Sequence, residues 1–179
     1  NIKTFAARFL TFLMALILVL VIMPVSSTAA DTGTATAQAN ALNELGLFQG
    51  TDSGYELGRA PTRTESIVML IRLLGQENAA LSGNWAHPFT DVPPWADSYV
   101  GYAYQKGYTN GISSDKFGAY DRASAASYIT FVLRSLGYSD AEGGDFSWSS
   151  PFGLAAAAGI MPPGVNTSNF LRGDVVLVS

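Results

Sequence analysis

The sequence has no cysteine and a single histidine, and only 13% of its 179 residues are charged. The lack of cysteine excludes a disulfide framework, a thiolate metal site and a cysteine nucleophile. His87 has no second histidine with which to form a metal site, so we expect a loop role for it and predict no metal. The sequence also lacks a Gly-x-Ser-x-Gly elbow, a phosphate loop and a dinucleotide fingerprint. We therefore predict no cofactor and no catalytic residues.

The first thirty residues account for part of the high hydrophobic content, which is 48% over the whole chain. Lys3 and Arg8 precede an uncharged apolar run over residues 9–23, and small residues follow it. This order is typical of a secretory signal. The run is shorter than the roughly 20 residues of a bilayer span. We predict that residues 1–30 are a signal peptide that exports the chain, whether cleaved or retained as a membrane anchor.

The remainder of the chain is acidic, with 8 Lys and Arg against 14 Asp and Glu, a net charge of about −6. Nucleic-acid binding depends on basic residues that neutralise phosphates, so we predict no nucleic-acid partner. A site for any other anion has to be local. Residues 31–40 are small and polar without an apolar period, and we predict a linker there.

Three segments of the chain resemble one another. Each begins with a short alanine-containing stretch that a glycine closes, as glycine commonly ends a helix. An arginine that opens an apolar segment follows that glycine after 17, 15 and 13 residues. These arginines are Arg63, Arg122 and Arg172. The pattern predicts helix-loop-helix repeats at 41–80, 85–140 and 145–179, of which the third is truncated and continues beyond residue 179.

The second helix of the first repeat is the best specified. Thr62 and Glu65 have the spacing of a capping box, and apolar residues follow at helical spacing. In the second repeat we predict Asp121 as the N-cap. The distance from the arginine to the closing glycine is three residues longer there, which we interpret as an insertion of nearly one helical turn.

Residues 89–96 read Phe-Thr-Asp-Val-Pro-Pro-Trp-Ala, and Tyr99, Ala103, Gly107, Gly111, Phe117 and Arg122 follow them. This order resembles an S-layer homology (SLH) repeat, and residues 62–65 resemble that family's signature for the start of its second helix. The resemblance covers about 140 residues. It implies a mainly α fold of tandem helix-loop-helix repeats in a pseudo-threefold arrangement around a central helical bundle, with ligand grooves between neighbouring repeats.

The resemblance also implies a function. SLH repeats usually attach exported proteins non-covalently to secondary cell-wall polysaccharides of Gram-positive bacteria, often polysaccharides that bear pyruvate ketals. For this chain we therefore expect a secreted protein at the cell wall or S-layer surface, with an anionic polysaccharide as partner. Carried over by position, the candidate polysaccharide-binding residues are Arg63, Arg122, Arg172, Trp95, Asp91, Gly50 and Gly111.

The copies depart from the family pattern in different ways. The first lacks a Phe-x-Asp-Val-x-x-Trp-Ala segment, and the second has Ser124 where the signature has glutamate. The third has Gly173 and Asp174 in place of alanine and glutamate. We therefore do not expect three equal grooves, and the second groove is the one that we least expect to bind ligand.

Several alternatives remain open from the sequence. An arginine at the first helical position is unfavourable beside the positive end of the helix dipole, so each one either binds an anion or bridges repeats through a carboxylate or carbonyl. Trp95 could contact sugar or belong to the core. Alternative functions are a surface-assembly module that binds proteins and the anchor of a larger wall-active enzyme. Glu65 and Asp91 could form a catalytic carboxylate pair, but capping already explains Glu65, so we predict no enzyme here.

Overall fold

The computed structural model describes residues 32–179, so the predicted signal segment lies outside the described residues. Within this range the chain forms seven α-helices and no β-strand, which confirms the mainly α fold. The helices are α1 (Thr32–Glu44), α2 (Arg63–Leu73), α3 (Glu77–Ser82), α4 (Asp97–Gln105), α5 (Ala125–Ser135), α6 (Phe152–Ala157) and α7 (Arg172–Val178). A 3-10 turn over Pro94–Ala96 leads into α4. No helix in this part of the chain has the length and apolar character needed to cross a membrane.

The linker prediction for residues 31–40 is wrong over residues 32–40, because α1 occupies them. Ala35 and Ala39 are buried one helical turn apart, and α1 packs against α7. Alanine has the highest helix propensity, and its small side chain lets two helices approach closely. A β-carbon added at Gly173 in α7 would lie only 3.6 Å from that of Ala35. A buried face made of alanine has no large apolar residue, so the sequence pattern does not reveal it.

The last helix has only seven residues, and tertiary contacts hold it in place. The backbone N–H of Arg172 donates to the carbonyl of Arg59 at 2.9 Å, and that of Gly173 donates to Leu57 at 3.0 Å. Residues 172–177 are all buried. Isolated helices of this length are marginal in water, so packing against α1 and the loop before α2 stabilises α7.

The structure confirms the predicted start of α2. Thr62 is the N-cap: its side chain accepts from the backbone N–H of Glu65 at 3.1 Å. Glu65 returns the bond, accepting from the N–H of Thr62 at 2.8 Å. Ile67, Leu70 and Ile71 are buried, as their helical spacing predicts.

The predicted start of α5 is wrong. The N-cap is Ser124 rather than Asp121, and its capping-box partner is Ser127. Aligned on their N-caps, α2 and α5 each reach their closing glycine thirteen residues later, so the second repeat contains no insertion. Arg122 instead lies two residues before its N-cap. The first helical residues of α2, α5 and α7 are therefore Arg63, Ala125 and Arg172.

The core is built around α2, which packs against α3, α4 and α5, while α5 also packs against α6. Large buried side chains include Phe117 from the loop before α5 and Tyr128 and Phe131 from α5 itself. The hydroxyl of Tyr128 lies 3.4 Å from that of Ser179, just after α7. These contacts join all three repeats in one core. The pseudo-threefold arrangement stays a prediction.

Candidate ligand groove

A groove of about 350 Å³ lies among α2, the loop after α1, the start of α4 and the first residue of α7. Three of the predicted binding residues line it together, namely Gly50, Trp95 and Arg172. They come from the first, second and third repeats, so the groove exists only where the repeats meet. We call it the Arg172 groove.

Arg172 is one of three charged residues that line this groove, together with Glu65 and Arg72, and it is only 3% exposed. Its Nε donates to the carbonyl of Tyr55 at 2.9 Å, and its guanidinium lies 5.6 Å from the ring centroid of Phe48. Nη1 lies 3.8 Å from the sulfur of Met69 and 3.9 Å from Oε1 of Glu65. Burial lowers the pKa of Arg172, yet an arginine stays charged at neutral pH. Arg172 thus combines a fixed Nε with a place in the lining of the groove.

Trp95 forms the aromatic rim of the groove and is 59% exposed. Tyr99, one turn further on, is buried, and its hydroxyl donates to Glu77 at 2.6 Å. Arg72 donates to the same oxygen of Glu77 at 2.8 Å. Trp95 therefore does not belong to the core, whereas Tyr99 does.

The fold itself requires glycine at the two predicted binding positions, Gly50 and Gly111. A β-carbon at Gly50 would lie 2.9 Å from the carbonyl oxygen of Gly54. Gly111 has a φ of +76°, and a β-carbon there would lie 2.4 Å from the ring of Phe89 and 2.5 Å from the carbonyl of Lys116. Both loops fold tightly on themselves, so glycine is required before any ligand is considered.

Arg63 repeats the geometry of Arg172 at the start of α2. It is buried, and its Nε donates to the carbonyl of Phe117 at 2.9 Å. Its guanidinium lies 5.2 Å from the ring centroid of Phe117 and 5.1 Å from that of Phe131. Burial lowers the pKa of Arg63. The bridge between repeats through a carbonyl is thus observed for Arg63.

Asp91 contacts a loop rather than the Arg172 groove. Its carboxylate accepts from the backbone N–H groups of Phe117 and Gly118 at 2.8 Å and of Ala119 at 3.2 Å. Burial raises the pKa of Asp91, but these backbone hydrogen bonds outweigh it and the pKa is lowered. The loop that Asp91 fixes supplies the carbonyl for Arg63, so Asp91 positions that arginine.

Arg122 differs from the other two candidate arginines. It is exposed and lies in a separate depression of about 220 Å³ with Ser124, Asn169 and Phe170. The residue equivalent to Arg63 is Ala125, which is completely buried. The prediction of three equivalent arginines is therefore wrong. The Ser124–Ser127 capping box is the sequence signal that would have placed the start of α5 correctly.

Arg59 was not among the residues predicted from the sequence. Its Nη1 donates to Oε2 of Glu65 at 2.9 Å and its Nη2 to Oε1 at 2.7 Å. Burial raises the pKa of Glu65, but Arg59 and the N–H of Thr62 outweigh it and the pKa is lowered. A loop arginine six residues before its partner follows no helical or strand period, so no pattern marks the pair.

The remaining predictions concern metals and catalysis. Residues 32–179 contain no group of three or more potential ligands that could hold a metal ion. The Nδ1 of His87 accepts from the backbone N–H of Phe89 at 3.1 Å, which confirms a loop role. The carboxylates of Glu65 and Asp91 are both occupied by partners within the chain.

The family model for the S-layer homology domain matches residues 88–119. Residues 88–119 are therefore similar to an SLH domain. The match includes Asp91, Trp95, Gly111 and Phe117, which are residues of the groove and of the loop beside Arg63. The mainly helical repeats described above agree with this assignment.

Two relatives extend the similarity beyond that segment. The chain is 29% identical over 161 residues to a cell surface protein of Thermoanaerobacter kivui. It is 26% identical over 133 residues to the middle cell wall protein of Brevibacillus brevis. The matches cover 87% and 68% of this chain but only 20% and 13% of the two relatives. Together with the SLH domain, they indicate a secreted protein associated with the cell wall and a role in anchoring at the cell surface.

Proposed function

We propose that this SLH region anchors its protein non-covalently to the wall by binding an anionic secondary cell-wall polysaccharide, with a pyruvylated polymer as the expected ligand. The supporting observation is Arg172. Its guanidinium is buried and fixed through Nε, and Arg172 lines the groove together with Trp95, whose ring is exposed.

The chemistry of the groove suits a carboxylate on a sugar. A guanidinium fork forms charge-assisted hydrogen bonds with a carboxylate, and each contributes about 1.5–3 kcal/mol. Val68, Met69 and Leu81 supply apolar wall around the fork, and Trp95 offers a ring face to the C–H surface of a sugar. The chain is acidic overall, so a polyanion is repelled elsewhere and attracted only where a cation is presented.

The first test is sedimentation of the chain with purified wall sacculi. We expect retention on intact walls and loss of retention after the secondary polysaccharide, or its pyruvyl groups alone, have been removed. Equal retention on intact and fully stripped walls would contradict the proposal and favour a protein partner. Loss of retention only after the whole polysaccharide has been removed would contradict the role of the pyruvyl groups but support binding to the polysaccharide.

The second test uses two exposed tryptophans as a matched pair. Trp95→Ala removes the aromatic rim of the groove, whereas Trp148, which is 66% exposed and does not line the groove, serves as control. We expect Trp95→Ala to weaken binding to purified polysaccharide roughly threefold to tenfold, in the range of a single aromatic contact. Trp148→Ala should bind like wild type. Equal loss in both variants would place the binding site elsewhere.

A further inference from the structure

Glu65 is a carboxylate inside the Arg172 groove, close to the cation proposed to bind the ligand. Its Oε1 lies 3.9 Å from Nη1 of Arg172 and 2.7 Å from Nη2 of Arg59. An internal carboxylate at that distance is a competitor for an anionic ligand, because a side-chain movement of about 1 Å would bring it into hydrogen-bond contact with Arg172.

Arg59 prevents this movement through a two-pronged contact. Both of its terminal nitrogens engage Glu65, one oxygen each, which is the geometry of a bidentate arginine–carboxylate pair. Arg59 is itself held by Glu56, whose oxygens lie 3.3 Å from Nε and 3.1 Å from Nη2. The N–H of Thr62 occupies Oε2 of Glu65 as well. Glu65 is thus fully partnered on the side away from Arg172.

The start of α5 shows what happens where this carboxylate is missing. Counted from the N-cap, Ser127 takes the place of Glu65, and Asp121 takes the place of Arg59. Ser127 has no carboxylate, and the carboxylates that act electrostatically on Arg63 belong to Asp121 and Asp91. The first repeat therefore has both Glu65 and the arginine that restrains it, Arg59. The second repeat has neither a carboxylate nor an arginine at the equivalent positions.

We propose that Arg59 is a positioning residue that keeps Glu65 away from Arg172, so that the groove stays open to a carboxylate or phosphate group on a glycan. This inference rests on the proposed function. Without Arg59, Glu65 would pair with Arg172 and occupy the anion site from within the protein.

The binding test compares the whole chain with Arg59→Gln, Glu65→Gln and the double variant in calorimetric titrations with purified secondary wall polysaccharide. The Glu65→Gln substitution keeps the cap, because the amide oxygen of the new side chain still accepts from the N–H of Thr62. We expect Arg59→Gln to weaken binding roughly tenfold, and the double variant to return to within about twofold of wild type. A purely structural role of Arg59 would leave the double variant as weak as the single one, which would overturn the proposal.

A second measurement does not depend on the glycan. The Nη–H signals of Arg172 can be followed by NMR in the ligand-free protein. We expect slower hydrogen exchange of these groups in Arg59→Gln than in wild type, because Glu65 then covers them, and fast exchange again in the double variant. Unchanged exchange in Arg59→Gln overturns the positioning role. If wild type binds no wall polysaccharide while exchange slows as expected, the proposed function fails and the positioning role stands.

Discussion

The starts of α2 and α5 occupy equivalent places in consecutive repeats, yet only α2 begins with a positively charged residue. The first residue of α2 is an arginine whose Nε donates to Phe117 in the neighbouring repeat, whereas the first residue of α5 is a buried alanine. A cation at a helix N-terminus is unfavourable by about 0.3–1 kcal/mol. Arg63 therefore needs a partner outside its own helix, and Ala125 needs none.

Equivalent positions in the repeats are therefore found by aligning the N-cap residues and not the arginines. Arg172 follows the pattern of Arg63, donating to Tyr55 in the first repeat. Arg122 looks similar in sequence but lies before its N-cap and is exposed. Two inter-repeat arginine bridges of this kind are thus present among the described residues.

The largest difference in stability is expected when one arginine of each type is removed. Arg63→Ala loses a charge-assisted hydrogen bond and contact with two aromatic rings, so we expect a loss of about 2–4 kcal/mol in the free energy of unfolding. Arg122→Ala should change it by no more than about 0.5 kcal/mol, as for other surface positions. Urea unfolding followed by circular dichroism measures both. Similar losses in the two variants would contradict the distinction drawn here.

A smaller loss of stability is expected when Asp91, which positions the partner loop of Arg63, is replaced. Asp91→Ala leaves three backbone N–H groups of the 117–119 loop without their acceptor, which should cost about 1–3 kcal/mol because solvent replaces only part of the lost bonds. Asp52→Ala removes an exposed aspartate from the corresponding loop of the first repeat and serves as control. Loss of stability in Asp52→Ala equal to that in Asp91→Ala would show that the loop contacts are not the cause.

The smallest effect concerns a feature that both repeats share. Ten residues after each N-cap, an arginine pairs with a carboxylate: Arg72 with Glu77, and Arg134 with Asp140 at 2.8 and 2.7 Å. Hydrogen bonding to Arg134 lowers the pKa of Asp140. Burial raises the pKa of Glu77, but Tyr99 and Arg72 outweigh it and the pKa is lowered.

A carboxylate with a lowered folded-state pKa stabilises the protein above its ordinary pKa, and this contribution disappears as the pH falls through the folded-state pKa. We therefore expect the free energy of unfolding to be level near neutral pH and to decrease below about pH 5. Asp140→Asn should flatten this decrease. A pH profile of Asp140→Asn parallel to that of wild type would exclude the pair as its source.

The sequence was informative where large side chains or caps mark an element. The capping box of Thr62 and Glu65 and the stripe from Ile67 to Ile71 led directly to α2. The α1 helix was not predicted because its buried face contains Ala35 and Ala39, and small side chains give no hydrophobic period. The mistaken register of α5 came from using Arg122 as the marker of the repeat.

The candidate site was partly predictable for a similar reason. Gly50, Trp95 and Arg172 were found through family resemblance, and they do share one groove. Arg59 acts through a loop contact with Glu65 that depends on the path of the backbone. Asp91 was expected to contact ligand, but only the fold shows that loop N–H groups occupy its oxygens.

The hydrogen bond from Arg172 to Tyr55 joins residues 117 positions apart in the chain. Contacts of such high sequence separation carry a large loop-closure entropy and form late in folding. Gly50 and Trp95 can be in place while Arg172 is still absent, so the groove is complete only after the third repeat has packed against the first. Under the proposed function, attachment to the wall therefore requires a chain that has completed its folding.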